Sequence, residues 1–145
     1  MPTLETPSAE ELDAQSTELQ EALNATWALV GGALAAELAA QATVSAASAG
    51  LVPALWARYS GRVISKLLNI YLTAADRVAA AVERETGRAV DALDVVHVLR
   101  WATAARERLD RSAEVIEAKV RELLSADDSR DNVIAAVRDY LTAPI

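Results

Sequence analysis

The sequence predicts an all-α protein, an elongated bundle of about five helices whose long N-terminal helix is bent or broken near Gly31-Gly32. Apolar residues recur at spacings of three, four and seven along most of the chain. No stretch alternates apolar and polar residues over strand length with turn chemistry at its ends. Composition agrees: of 145 residues, 52% are hydrophobic, roughly a fifth are alanine, and only 5 Gly and 4 Pro occur. Such a balance excludes collagen-like and wholly disordered chains. The absence of cysteine excludes disulfide-framed and zinc-finger folds.

Ser8-Ala9-Glu10-Glu11 is a capping box, with the Ser8 hydroxyl accepting from the Glu11 amide and the Glu11 carboxylate reaching back to Ser8. Leu12, Leu19, Leu23, Val30, Leu34 and Leu38 then line one helical face, and the expected stop is Gly50 with Pro53 close behind. An unbroken helix of about 40 residues would be about 60 Å long. A compact chain of this size is only about 40 Å across. A break at Gly31-Gly32, where each glycine costs about 1 kcal/mol relative to alanine, relieves the conflict. Packing into an assembly does so as well.

Pro53 suits the first turn of a second helix. Trp56, Tyr59, Val63, Leu67, Ile70, Ala74, Val78 and Ala81 form its stripe, widened by Val52, Leu55, Ile64 and Tyr71. It is expected to reach about Arg84 and to end at Thr86-Gly87. So broad an apolar arc implies contact on more than one side. Asp91 and Asp94 are N-cap candidates for a third helix carrying Val95, Val98, Leu99, Ala102 and Leu109. The apolar phase changes near Asp110–Ser112, where Ser112 and Glu114 can start a fourth helix bearing Val115, Ile116, Val120, Leu123 and Leu124. After the polar break at residues 125–128, Ser129 caps a last helix with Val133, Ile134, Val137 and Leu141, stopped by Pro144. By organisation, residues 1–50 form an acidic segment with the long helix, and residues 51–145 a second helical region.

The formal net charge is −7, from 21 acidic and 14 basic residues. That balance disfavours direct nucleic-acid binding and attraction to an anionic membrane. Residues 1–21 carry six acidic side chains and no basic one, the reverse of a signal-peptide start. The uncharged stretch Ala22–Ala36 is too short to span a bilayer, and Leu38–Ala57 has the length but is small and polar. No catalytic residue, cofactor or metal is expected. His97 has no converging nucleophile or ligand partners. The N-terminal carboxylates Glu5, Glu10, Glu11, Asp13, Glu18 and Glu21 lack a calcium-loop pattern and read as a solvated helix start. Asp127, Asp128 and Asp131 read as capping. Arg100, Arg106, Arg108 and Arg111 interleave with Glu107, Asp110 and Glu114 at ion-pair spacings. With 3 Trp, 3 Tyr and no Phe, each aromatic is informative. Trp27, Trp56, Tyr59, Tyr71 and Trp101 either fill a core of small alanines or anchor a partner chain.

Leu51-Val52-Pro53-Ala54-Leu55-Trp56-Ala57-Arg58, continued by Val63-Ile64 and Ile70-Tyr71-Leu72-Thr73-Ala74-Ala75, resembles a tryptophan-bearing helix of MuF-like minor capsid proteins of actinobacterial tailed phages. Ala105-Arg106-Glu107-Arg108-Leu109 is similar to their short Asn-Arg-Leu element, with Glu107 in place of the Asn. The run from Ser129 through Ile134-Ala135 and Val137-Arg138 to Leu141 resembles their last helix. The resemblance spans residues 51–141. It implies a portal-associated structural protein inside the phage head, present in the host cytoplasm during assembly and lacking an appended enzyme domain. Its implied partners are the portal, capsid proteins or further copies of itself. The alternatives are a small actinobacterial helical adaptor or secreted helical hairpin, whose Trp-x-Gly turn is absent at Trp27 and Trp56, and a holin-like membrane protein.

Overall fold

The computed structural model describes residues 9–87 and 95–144, with side-chain environments for 14–87 and 99–144. All regular structure among them is helical: α1 Ala9–Ala40, a short 3-10 turn Ala46–Gly50, α2 Leu51–Tyr59, α3 Gly61–Thr86, α4 Val95–Leu124 and α5 Arg130–Thr142. The all-α bundle of five helices is therefore as the periodicity predicts. Glu5, Ser8, Asp91 and Asp94, together with the side chains of Glu10, Glu11, Asp13 and His97, lie outside the described residues.

The helices pack as an up-down-up-down bundle. α1 packs on α5, on α2 and on α3, and α4 packs on the same three and on the 3-10 turn. α1 and α4 lie diagonally across the bundle, as do α5 and the column formed by α2 and α3, and neither diagonal makes more than marginal contact. The main core occupies one end. There Trp27, Val30, Leu34 and Leu38 of α1 meet Ala49, Val52, Trp56, Ala113, Val120, Leu124, Val133, Val137 and Leu141. Residues from both 1–50 and 51–145 thus share one core. We call this end the head, and the other end, built from the N-terminal halves of α1 and α4 on either side of α3, the arm.

Three boundaries differ from those the sequence suggests, each for a packing reason. α1 is shorter than expected and continues unbroken through Gly31-Gly32 to Ala40. Gly31 is instead the point of closest approach to α5: a Cβ there would sit 2.9 Å from Leu141 Cβ and 3.6 Å from the Arg138 carbonyl oxygen. A Cβ at Gly32 meets nothing within 4 Å. The second expected helix divides at Ser60 into α2 and α3, although Ser60 N–H still donates to Trp56 O at 2.8 Å and Ile64 N–H to Ser60 O at 3.0 Å. The third and fourth expected helices are one, α4. Its apolar phase shifts near Asp110 because its first half packs on α3 and its second half on α2, α5 and the 3-10 turn.

The remaining ends follow local rules. Gly87 adopts φ 67° and donates to Glu83 O, closing α3 with a left-handed residue. Ser129 caps α5 by accepting from Asn132 N–H at 3.3 Å. Just before it, the Asp128 carboxylate accepts from Asn132 Nδ2 at 2.9 Å and from Ser129 N–H at 2.7 Å. The Asn132 bond first, and the Ser129 amide second, hold the Asp128 carboxyl below its ordinary value. α1 has no basic residue in its own last turn. Arg130, from the start of α5, supplies one: its Nη2 donates to Leu38 O at 3.1 Å, to Ala39 O at 2.6 Å and to Gln41 O. A cation at the carbonyl end of a helix satisfies orphan acceptors and complements the macrodipole.

The two adjacent glycines should respond oppositely to alanine. Gly32→Ala is expected to raise unfolding stability by about 0.5–1 kcal/mol, the ordinary gain in a helix interior. Gly31→Ala forces α5 outward and is expected to lower it by about 1–3 kcal/mol. Urea unfolding followed by helical ellipticity measures both.

Candidate protein-interaction surface

Of the five aromatic residues singled out from sequence, two belong to the head core. Trp27 and Trp56 are 5% and 3% exposed and stack with ring centroids 4.7 Å apart at 14°. Trp56 Nε1–H donates to Asp110 Oδ1 at 3.0 Å, so the buried indole has its partner. Asp110 therefore acts as the acceptor that fixes Trp56, a role no sequence spacing announces across 54 residues. It also lies 4.0 Å from Arg106 in an i,i+4 pair. Tyr59 is half-buried against the same core, with the Arg58 guanidinium 5.4 Å from its ring centroid.

Tyr71 and Trp101 lie elsewhere, on the arm. Their ring centroids are 6.4 Å apart at 41°, joining α3 to α4, yet Trp101 remains 48% exposed. It is the one tryptophan with a face open to solvent.

Helix lengths explain that exposure. At 1.5 Å per residue, α1 with 32 residues and α4 with 30 are each about 45–48 Å long, whereas α5 with 13 is about 20 Å. α5 starts where Arg130 meets the end of α1 and finishes where Leu141 meets Gly31. It thus covers only the head half of the trough between α1 and α4. Beyond its end lies an apolar cavity of about 240 Å³ lined by Trp27, Ile116, Tyr140, Leu141 and Ala143. Past that cavity, on the arm, no fourth helix lies beside α1, α3 and α4 among the described residues.

Residue spacing places several side chains on the same faces as Tyr71 and Trp101. Tyr71 faces Trp101, and Leu67, Ala74 and Val78 stand four before, three after and seven after it, on the same side of α3. Ala74 and Val78 are exposed, the latter 45%. On α4, Arg108 and Val115 follow Trp101 at intervals of seven and share its stripe, with Val115 70% exposed. The arm's own interior is thin. Among described residues it buries Ala22, Val63, Ala75 and Ala81, mostly the smallest of side chains.

The charged clusters serve the helices that carry them. Arg121 pairs with Glu117 at 3.0 Å, Lys119 with Glu122 at 3.5 Å, and Arg111 Nε–H donates to Glu107 O. Asp128 is occupied in the α5 cap. Among the described residues no group of three His, Asp or Glu side chains converges. Ala14–Ala40 of α1 is long and apolar enough to cross a membrane by length and composition, and it contains Val30, Leu34 and Leu38, which are fully buried against α5 and the head.

No family model, curated protein or solved structure matches this chain.

The tryptophan environments make a direct test of the arm. Iodide should quench a distinct fraction of the emission from the native protein, and Trp101→Phe should abolish that fraction while leaving the shielded Trp27–Trp56 emission in place. Equal quenching of all three indoles would contradict the exposed position of Trp101.

Proposed function

We propose that this chain is a non-enzymatic structural component of a tailed-phage head, a minor capsid protein that packs by its amphipathic helices at or near the portal. The observation that carries the reading is the exposed apolar surface of the arm: α1 and α4 flank α3 with no fourth helix among the described residues, and Val78 and Trp101 are half-exposed. A surface of this kind supports association rather than chemistry. Exposed tryptophan beside aliphatic residues is the composition of an interface anchor, and burying apolar surface there yields roughly 25 cal/mol per Å².

The resemblance of several segments to MuF-like minor capsid proteins is what directs the reading to a phage head. Those segments fall on α2, α3, the middle of α4 and α5, and leave out α1. The net charge of −7 favours a protein partner over the packaged genome.

Co-expression with the portal and major capsid proteins of a phage whose genome encodes this chain tests the proposal. The chain is expected to co-sediment with portal-containing particles, and Trp101→Asp with Val78→Asp to lower its incorporation at least tenfold. A chain that stays a free, stable monomer beside assembled portals overturns the virion reading.

A further inference from the structure

We propose that the cleft between α2 and α4 on the head binds a short alkylammonium group, held by Ser60, Asp110 and Glu114. The proposal stands apart from the phage-head reading and does not need it.

Two polar side chains are buried among the described residues, Thr26 and Ser60. Thr26 Oγ1 donates to the Ala22 carbonyl at 2.8 Å, the usual arrangement for a hydroxyl inside a helix. Ser60 is 6% exposed, yet its hydroxyl has no hydrogen-bond partner among the described residues, although the Trp56 carbonyl lies one turn back. No buried side-chain oxygen there is both unpaired and sealed from outside, so the hydroxyl opens onto the cavity whose wall Ser60 forms. A hydroxyl that is nine-tenths buried and unpaired points to an atom outside the chain that completes it.

That cavity holds about 300 Å³. Its α2 side is the stripe Pro53, Trp56, Ala57 and Ser60, and its α4 side carries Asp110, Glu114 and Glu117 at intervals of four and three. Asp110 gives Oδ1 to the Trp56 indole at 3.0 Å, while Oδ2 lies 4.0 Å from Arg106, beyond hydrogen-bond distance. Glu117 is engaged with Arg121, and Glu114 has no ion-pair partner among the described residues. Three carboxylates against the Arg106 guanidinium make the cleft attractive to a cation. A metal ion does not suit it, because no three acidic side chains of described residues converge. An ammonium has three N–H donors, one each for Ser60 Oγ, Asp110 Oδ2 and a Glu114 oxygen. Its alkyl stem lies along Pro53, Ala57 and the buried Ala113.

Titration of the full chain with n-butylammonium chloride, followed by the NMR signal of the Trp56 indole Nε1–H, tests the site, with sodium chloride at equal ionic strength as control. The signal should shift and saturate with n-butylammonium, and tetramethylammonium, which has no N–H donor, should not reproduce it. Ser60→Ala should weaken binding about fivefold and leave the urea midpoint of the free protein unchanged, since the hydroxyl has no internal partner to lose. Glu114→Gln should weaken it about threefold at low salt and less at high salt. Shifts that never saturate and match those of sodium chloride overturn the proposal. So does saturable binding indifferent to both substitutions, equal binding of tetramethylammonium, or a fall in the urea midpoint with Ser60→Ala. Nα-acetyl-lysine N-methylamide distinguishes the source: binding as tight as that of n-butylammonium assigns the cleft to a lysine side chain of another polypeptide, and its exclusion assigns the cleft to a free amine.

Discussion

The contact between α1 and α5 sets the rest of the structure. Two antiparallel helices approach closely only where one of them lacks a side chain, and Gly31 supplies that gap beneath Leu141. At the other end of the contact the Arg130 guanidinium reaches the last carbonyls of α1, fixing the register of α5 along it. With both ends pinned, Val133, Val137 and Leu141 meet Leu34, Leu38 and Trp27 and complete the head core. The same two constraints fix where α5 stops. A 13-residue helix anchored at residue 38 cannot cover a 32-residue neighbour, and the open arm follows from that mismatch.

Energetics divide along the same line. The head buries two tryptophans and a series of Leu and Val side chains, each contributing about 1.5–3 kcal/mol when fully removed from water. The arm buries chiefly alanines, whose small area gives little return for ordering long helices, while its larger residues Leu67, Tyr71 and Trp101 stay partly in solvent. The well-packed head and the thinly packed arm thus differ in how much burial holds them. Most of the apolar burial therefore lies in the head, and most of the exposed aromatic surface lies on the arm.

Periodicity made the helical class and most of the core legible, because Leu34, Leu38, Val52, Val120 and Val137 recur at helical spacing and are all fully buried. Cap chemistry did as well wherever it is local: Ser129 and Gly87 act within a few residues of themselves. What escaped depends on contacts across long stretches of chain. Gly31-Gly32 looks like a breaking point by propensity, yet Gly31 answers to Leu141, 110 residues away. The phase change at Asp110 looks like a helix end, yet it records a change of neighbours along one continuous α4. Asp110 itself reads as one member of a surface ion pair, and its bond to the Trp56 indole is visible only once α2 lies against α4. The interface candidates were drawn on residue type, which cannot separate Trp101 from the buried pair Trp27 and Trp56.

That separation carries the functional argument. A chain with no phenylalanine fills its head with two of its three tryptophans, stacked on each other, one of them hydrogen bonded to a carboxylate. The third could have been buried by the same means had α5 continued for a few more turns along the trough. Instead α5 ends beside an apolar cavity, and Trp101 lies farther along, held in orientation by Tyr71 but half open to water. Holding a large indole at the surface forgoes burial that the molecule could use, and the exposed Val78 on α3 forgoes it too. The arrangement is economical only if another surface supplies that burial. Under the proposed assembly reading, Trp101, already oriented by Tyr71 and half-exposed, is the side chain a partner surface would cover.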